Sequence, residues 1–257
     1  MMKKLVKIFV TILASLAGIL LSLYVIAYCM GEPDLNKNRY LKLYDDNQEI
    51  YYQSINDYTG HYVTLNNVSN YFKESIVAIE DQRFYDHRGF DPIGIMRALK
   101  VNFTNQKKSQ GASTITQQYA RLLYLTNEKS WSRKIKEAFL TMQLETRLSK
   151  DEILEGYINN VYFGHGIYGI ENAAQYFYGK SAKELDLNES SMLAGVVNGP
   201  TYYSPLNDAK AARKRQSIVL NALIDCKEIT VTQKQQVLDS DLNLAETHKV
   251  DDNMANN

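Results

Sequence analysis

The sequence is poor in the residues that staple or punctuate a chain. Of 257 residues only two are cysteine, Cys29 and Cys226, and only four are histidine. Two isolated cysteines exclude a disulfide framework or a zinc cluster, and the histidines show no HExxH or paired spacing that would mark a dedicated zinc site. Four prolines and 13 glycines exclude proline-rich and collagen-like architectures. Net charge is missing too, because 29 basic residues balance 29 acidic ones and the pI is near 6.9. With no global basic field, nucleic acid is not an expected partner.

What is present is ordinary for a folded chain: 45% hydrophobic and 23% charged residues. The length suffices for one domain of good size or two small ones. Nineteen tyrosines suit sugar-stacking or membrane-interface surfaces as well as plain core and rim packing.

The uneven feature is at the start. Ile8 to Gly31 is a run of 24 residues without a charge, and about 20 apolar residues are enough to cross a bilayer as a helix. Lys3, Lys4 and Lys7 precede it, and Glu32 and Asp34 follow. The bias predicts a cytoplasmic basic N-terminus at 1–7, a single transmembrane anchor at 8–31 and everything later outside. A cleaved signal peptide fits less well. Its apolar region is roughly 7–15 residues and ends in a small-x-small site, whereas this run ends Tyr28-Cys29-Met30-Gly31. Tyr28 also stands where a lipidated cysteine needs a small residue. Without the three anchor lysines, 26 basic residues face 29 acidic ones.

Residues 32–60 read as a polar linker with a small β element, a hairpin around Asp45-Asp46-Asn47. From about residue 65 the apolar period turns helical, through Val68, Tyr71, Phe72, Ile76 and Ile79. Pro92 after Asp91 is placed to open a helix. Ser149 with Glu152, Ser181 with Glu184, and Asp186 with Glu189 are capping-box pairs. Asn198-Gly199-Pro200 is a helix stop. Ala209 to Ile224 reads as the final amphipathic helix. The expected domain is mostly α, spanning 61–238, with an acidic, frayed tail at 239–257.

Four segments carry candidate chemistry. At 80–91, carboxylates, His87 and two arginines crowd the end of an apolar helix. Glu80 follows Ile76, Val77 and Ile79, so desolvation can raise its pKa and suit it to general-base work, although a solvated surface helix end reads equally well. At 111–118, Gly-Ala-Ser-Thr-Ile-Thr-Gln-Gln places a glycine and hydroxyls at a helix N-terminus. That suits phosphate or pyrophosphate, or ordinary N-capping by Ser113 or Thr114, and it is not a Walker A loop. At 133–137, Arg133, Lys136 and Glu137 share one side of a helix. They offer cations for a pyrophosphate leaving group, or a simple i,i+4 ion pair. At 155–174, a Gly-His-Gly turn among tyrosines suits sugar contacts or close helix packing.

Taken together and in order, these segments resemble the glycosyltransferase domain of class A penicillin-binding proteins in its monofunctional, membrane-anchored form. The matching stretches are 80–91, GASTITQQ at 111–118, RKIKE at 133–137, KDEILEGYINNVYFGHGIYGIENAAQYFYGK at 150–180, and Ser191 through Pro205. They cover about residues 62–226. Two positions depart from the family pattern. Ala112 replaces a usual second glycine, and Arg121 stands where a lysine is common. No Ser-x-x-Lys or Lys-Thr-Gly occurs, so penicillin acylation is not expected.

The resemblance implies a lysozyme-like, mostly α glycosyltransferase fold with a small β hairpin behind one N-terminal transmembrane helix. It implies polymerisation of lipid II into β-1,4-linked glycan with inversion and release of undecaprenyl pyrophosphate. Glu80 is the implied base and Glu137 a second catalytic carboxylate. Asp81, Phe84, His87, Ser113, Gln117, Gln118, Arg121, Arg133, Lys136 and Asn160 are implied substrate contacts. A divalent cation, Mg2+ or Mn2+, held in part by Glu137, is compatible with it; no organic cofactor is implied. Partners would be lipid II, the growing strand, the membrane, and transpeptidases and other cell-wall synthases. The implied location is the bacterial plasma membrane, and the implied inhibitor is moenomycin. The segment 93–110, with Ile93, Ile95, Met96 and Leu99 beside lysines, could dip into the outer leaflet. A lysozyme-like lytic enzyme and a non-catalytic cell-wall scaffold are the competing functions.

Overall fold

The structure, a computed structural model, describes residues 2–30, 41–44, 50–55, 58–105, 113–124 and 131–245. Gly111 and Ala112, Lys107 and Lys108, the hairpin turn at 45–47 and the tail beyond Ala245 lie outside the described residues.

Helix α1 spans Met2–Cys29. Strands β1 (Leu41–Tyr44), β2 (Ile50–Ile55) and β3 (Tyr58–Gly60) follow. They form an antiparallel sheet in the order β1-β2-β3, one strand more than the expected hairpin. Then come α2 (Asn70–Glu80), α3 (Pro92–Asn105), α4 (Ile115–Tyr124), α5 (Trp131–Arg147) and α6 (Lys150–Asn160). A two-stranded β4 (Tyr162–Gly164) and β5 (Ile167–Tyr168) precede α7 (Ile170–Tyr178) and α8 (Leu187–Val196). The chain ends with α9 (Pro200–Tyr203), α10 (Ala209–Asp225) and α11 (Val231–Asp239).

Among the described residues no helix is long and apolar enough to cross a membrane, and several side chains of α1 lie outside them. The C-terminal turns of α1 rest on the domain. Ala27 is fully buried, Tyr24 donates to the Arg88 carbonyl at 2.6 Å, and Arg147 bonds the Tyr28 carbonyl while lying over its ring.

The core is built around α8. From Asn188 to Val196 every residue of that helix is buried, the pattern of a helix with neighbours on all sides rather than an amphipathic one. It packs against α2 and α10. Gly195 permits the α10 contact, since a Cβ there would sit 3.2 Å from Cγ of Arg215. Phe72 and Ile76 of α2, Ile153, Leu154, Tyr157 and Ile158 of α6, and Leu220 and Leu223 of α10 join the same cluster.

The expected capping boxes are formed at Ser149, Ser181 and Asp186, the second opening only a short 3-10 turn. Two differences concern the C-terminus. Helix α11 follows the one expected to be last, opened by a Thr230–Gln233 capping box. The segment after it is tied down as far as Ala245, whose N–H donates to the Phe177 carbonyl at 2.9 Å, while Asn188 bonds Ser240 and Asp241.

Candidate active site

Helix α2 ends at Glu80, whose backbone position is fixed by the buried face of the same helix, Phe72, Ser75 and Ile76. Its side chain is only 11% exposed. One carboxylate oxygen, Oε2, accepts from Nε2 of Gln118 at 2.8 Å. The other, Oε1, is buried and makes no hydrogen bond. Arg215 approaches Oε1 to 4.0 Å, beyond hydrogen-bond reach. Burial raises the Glu80 pKa, and the Gln118 hydrogen bond and the charges of Arg215 and Arg121 pull against that rise. A half-dry carboxyl with one free oxygen is the arrangement a general base needs.

The Gln118 amide is itself held. The hydroxyl of Tyr157 donates to its Oε1 at 3.1 Å, which turns the NH2 toward Glu80. Tyr157 is fully buried, and that burial holds its phenol protonated well above its ordinary range, so it stays a donor.

Asp81 is a brace. It receives the Nε2 of His87 at 2.9 Å and the N–H of Ile115 at 3.1 Å, so one buried carboxylate ties the loop after α2 to the N-terminus of α4. Thr114 and Gln117 complete that terminus as a reciprocal cap. The Gln117 amide oxygen accepts from Thr114 N at 3.0 Å, and the Thr114 hydroxyl accepts from Gln117 N at 3.2 Å. The same hydroxyl donates to the Gly89 carbonyl at 2.7 Å. Gly89 has φ +78° and its missing Cβ would lie 2.6 Å from Thr141, so α5 also presses on this loop.

A cleft of about 790 Å³ opens over Glu80. Of the sequence-predicted residues, Glu80, Asp81, Ser113, Gln118 and Arg121 line it. The others do not. Phe84 is fully buried in the core, edge-on to Tyr85 and under the Lys150 ammonium. His87 stands behind Asp81, and Gln117 is spent on the cap. Asn160 is buried and donates back to the Gly156 carbonyl.

Glu137, 1% exposed, pairs with Arg133 at 3.1 Å and with Lys134, while Lys136 is exposed. The i,i+4 pair is thus formed, with Lys134 rather than Lys136 as the second cation. A divalent cation does not fit at Glu137, because each carboxylate oxygen already faces a positive side chain. Among the described residues, no group of three His, Cys, Asp or Glu gathers as a metal site.

Arg215 was not singled out from sequence. Its signal was a cation on the buried face of α10, between Ala212 three residues before and Val219 four residues after.

Residues 47–224, well over half the chain, match the family model described as Transglycosylase. The chain belongs to the transglycosylase family. Penicillin-binding protein 2D of Bacillus subtilis is 43% identical over 204 residues, which cover 79% of this chain and 30% of that protein. Penicillin-binding protein 1A of Escherichia coli is 44% identical over 173 residues, covering 67% and 20%. Penicillin-binding protein 1A of Haemophilus influenzae is 46% identical over 168 residues, covering 65% and 20%. The chain therefore spans less than a third of the length of these relatives. Glu80, Asp81, Ser113, Gln118, Arg121 and Arg215, which line the cleft of this transglycosylase-family chain, fall inside the matched segment.

Proposed function

We propose that the chain is a peptidoglycan glycosyltransferase that polymerises lipid II, with Glu80 as general base. The observation that carries this reading is the Glu80 carboxylate itself: buried, gripped at one oxygen by Gln118, free at the other, and facing a cleft that also holds Arg121 and Arg215. Membership of the transglycosylase family and likeness to penicillin-binding proteins support the substrate class.

The reaction balances as a single inverting displacement. The 4-hydroxyl oxygen of the acceptor sugar attacks the anomeric carbon of the donor. Its proton passes to Oε1 of Glu80. The bond from the anomeric carbon to the pyrophosphate oxygen breaks, and its electron pair leaves with undecaprenyl pyrophosphate. An alcohol is a weak nucleophile, so a positioned base contributes roughly 10²–10⁴-fold. Fixed cations further stabilise the charge that develops on the leaving group. Arg121 of α4 is a cleft cation suited to that role, and Ser113 offers a hydroxyl in the same cleft. No step needs a metal at Glu137.

The charge-free run from Ile8 supports an uncleaved single-pass anchor, with the N-terminus cytoplasmic and the catalytic domain outside the plasma membrane. Tethering confines the enzyme to the surface where its lipid-linked substrate diffuses, which raises the effective concentration of both. Ile93, Ile95 and Met96 stand exposed on α3 and fit contact with the outer leaflet. Transpeptidases and other cell-wall synthases are the matching partners, since an uncrosslinked strand is an intermediate.

The test is incubation of the full chain in detergent with labelled lipid II. Polymer from wild type and none from Glu80→Gln supports the reading. Cleavage of preformed glycan instead indicates a lytic enzyme, and equal polymer from both variants removes Glu80 as base. Moenomycin, a phosphoglycolipid resembling the donor, should bind the folded chain.

A further inference from the structure

The geometry around the free oxygen of Glu80 points to a second functional residue, and this inference rests on the glycosyltransferase reading. We propose that Arg215 is a positioning residue for the base: held 4.0 Å from Glu80 Oε1, its guanidinium frames a slot for the acceptor hydroxyl and keeps the carboxylate ionised without closing on it.

Three observations carry this. First, Oε1 of Glu80 is buried and makes no hydrogen bond, and Nη2 of Arg215 stops 4.0 Å short of it; Nε of the same guanidinium is also buried without a partner. Buried polar atoms without partners are rare, and they collect where a ligand completes them. An oxygen about 2.8 Å from both Oε1 and the guanidinium nitrogen fits between them. Second, Arg215 is fixed in place. Gly195 of α8 leaves room for its stem, and its head lies 5.7 Å from the centre of the Tyr203 ring. A direct salt bridge would occupy the lone pair that the base must use. An arginine held just short of contact supplies charge and leaves the oxygen available. Third, Glu80, Arg215 and Ser113 line one cleft, so the guanidinium and the carboxylate face the same space.

The charged and titratable groups facing Glu80 come from every side. Arg121 lies on α4, Tyr157 on α6, Asp81 on its own loop and Arg215 on α10. Arg215 and Arg121 favour the ionised form, and Asp81 opposes it. Removing Arg215 therefore leaves burial less opposed, and Glu80 holds its proton to higher pH.

The experiment uses the full chain in detergent micelles, as wild type, R215K and R215M. Two quantities are read: the pH–rate profile for lipid II polymerisation, and the titration of Glu80 by NMR on chain labelled with 13C at glutamate Cδ, assigned by the signal missing in E80Q. In R215M the acid limb and the Glu80 titration should both move up by about one pH unit or more, with about tenfold loss of rate on that limb. R215K should keep both near wild type. An R215M that lowers the rate equally at every pH, with the Glu80 titration unmoved, overturns the proposal. So does an R215K that behaves as R215M does. If wild type makes no polymer, the glycosyltransferase reading fails by itself. The Glu80 titration then decides the Arg215 role alone, an upward move upholding it and no move overturning it.

Discussion

Glu80→Gln should abolish polymerisation while leaving the fold as stable as wild type or more so. The structure sets two opposing terms. Two unit charges 4.0 Å apart, as Glu80 and Arg215 are, attract by about 4 kcal/mol at an effective dielectric of about 20. Against this stands the desolvation of a nearly buried carboxylate, several kcal/mol in real proteins, and burial is the largest influence on Glu80. Gln118 can still donate to the new amide oxygen, so that hydrogen bond survives the change. Relief of a destabilised functional group typically returns about 0.5–2 kcal/mol, which is about 2–4 °C in Tm per kcal/mol for a domain of this size. The pH dependence has a definite sign. A carboxyl with its folded pKa raised contributes its stability below the unfolded value, and loses it as pH rises through the folded one. The advantage of Glu80→Gln over wild type should therefore be smallest in acid and grow as pH climbs above the ordinary carboxylate range. Thermal unfolding of both forms from pH 4 to 8, beside lipid II turnover, checks it. A loss of about 3–5 kcal/mol at neutral pH, the size expected for breaking a buried ion pair, would refute the reasoning. Glu80 would then be a structural partner of Arg215 rather than a poised base.

Other expectations are more local. Gln118→Ala removes the hydrogen bond that lowers the Glu80 pKa, so the acid limb of the rate profile should shift upward and neutral-pH turnover should fall about tenfold. Asp81→Ala leaves His87 and the Ile115 N–H without their acceptor and should cost about 1–3 kcal/mol in urea unfolding, with activity falling in proportion to lost structure. Gly169→Ala puts a Cβ 2.8 Å from the Asn159 carbonyl oxygen at φ +81°, and a loss of about 1–3 kcal/mol should appear as a lower Tm. Glu137→Ala leaves Arg133 and Lys134 facing each other across a buried gap. Because those cations are 19% and 43% exposed, the cost should be about 1–3 kcal/mol rather than the larger cost of a fully buried pair, with added Mg2+ unable to restore it.

Legibility in the sequence divides along a physical line. Local rules were readable. The Pro92 start, the Ser149 and Asp186 capping boxes and the apolar end of α2 at Glu80 each follow from a few adjacent residues, and each forms. Residue type at the helix N-terminus near 113 was also readable, but the division of labour within it was not. Whether Gln117 or Gln118 faces the substrate depends on a rotation of about 100° between adjacent helical positions. The fold assigns Gln117 to the Thr114 cap and Gln118 to Glu80. Phe84 and Asn160 show the same limit from the other side. Their chemistry suits sugar contact, yet the core claims both, and only the tertiary path of the chain decides that.

Arg215 is the clearest case of what local reading misses, because it lies 135 residues from Glu80. Helix α10 looks like an ordinary amphipathic helix with a basic stretch. What sets Arg215 apart is the absence of a side chain at Gly195 on another helix and the presence of the Tyr203 ring on a third. Gly195, where a Cβ would press hardest on the Arg215 stem, is therefore part of the proposed site. Replacing Gly195 by alanine should disturb the Arg215 position by a few tenths of an ångström and shift the pH–rate profile in the same direction as R215M, without touching the cleft directly.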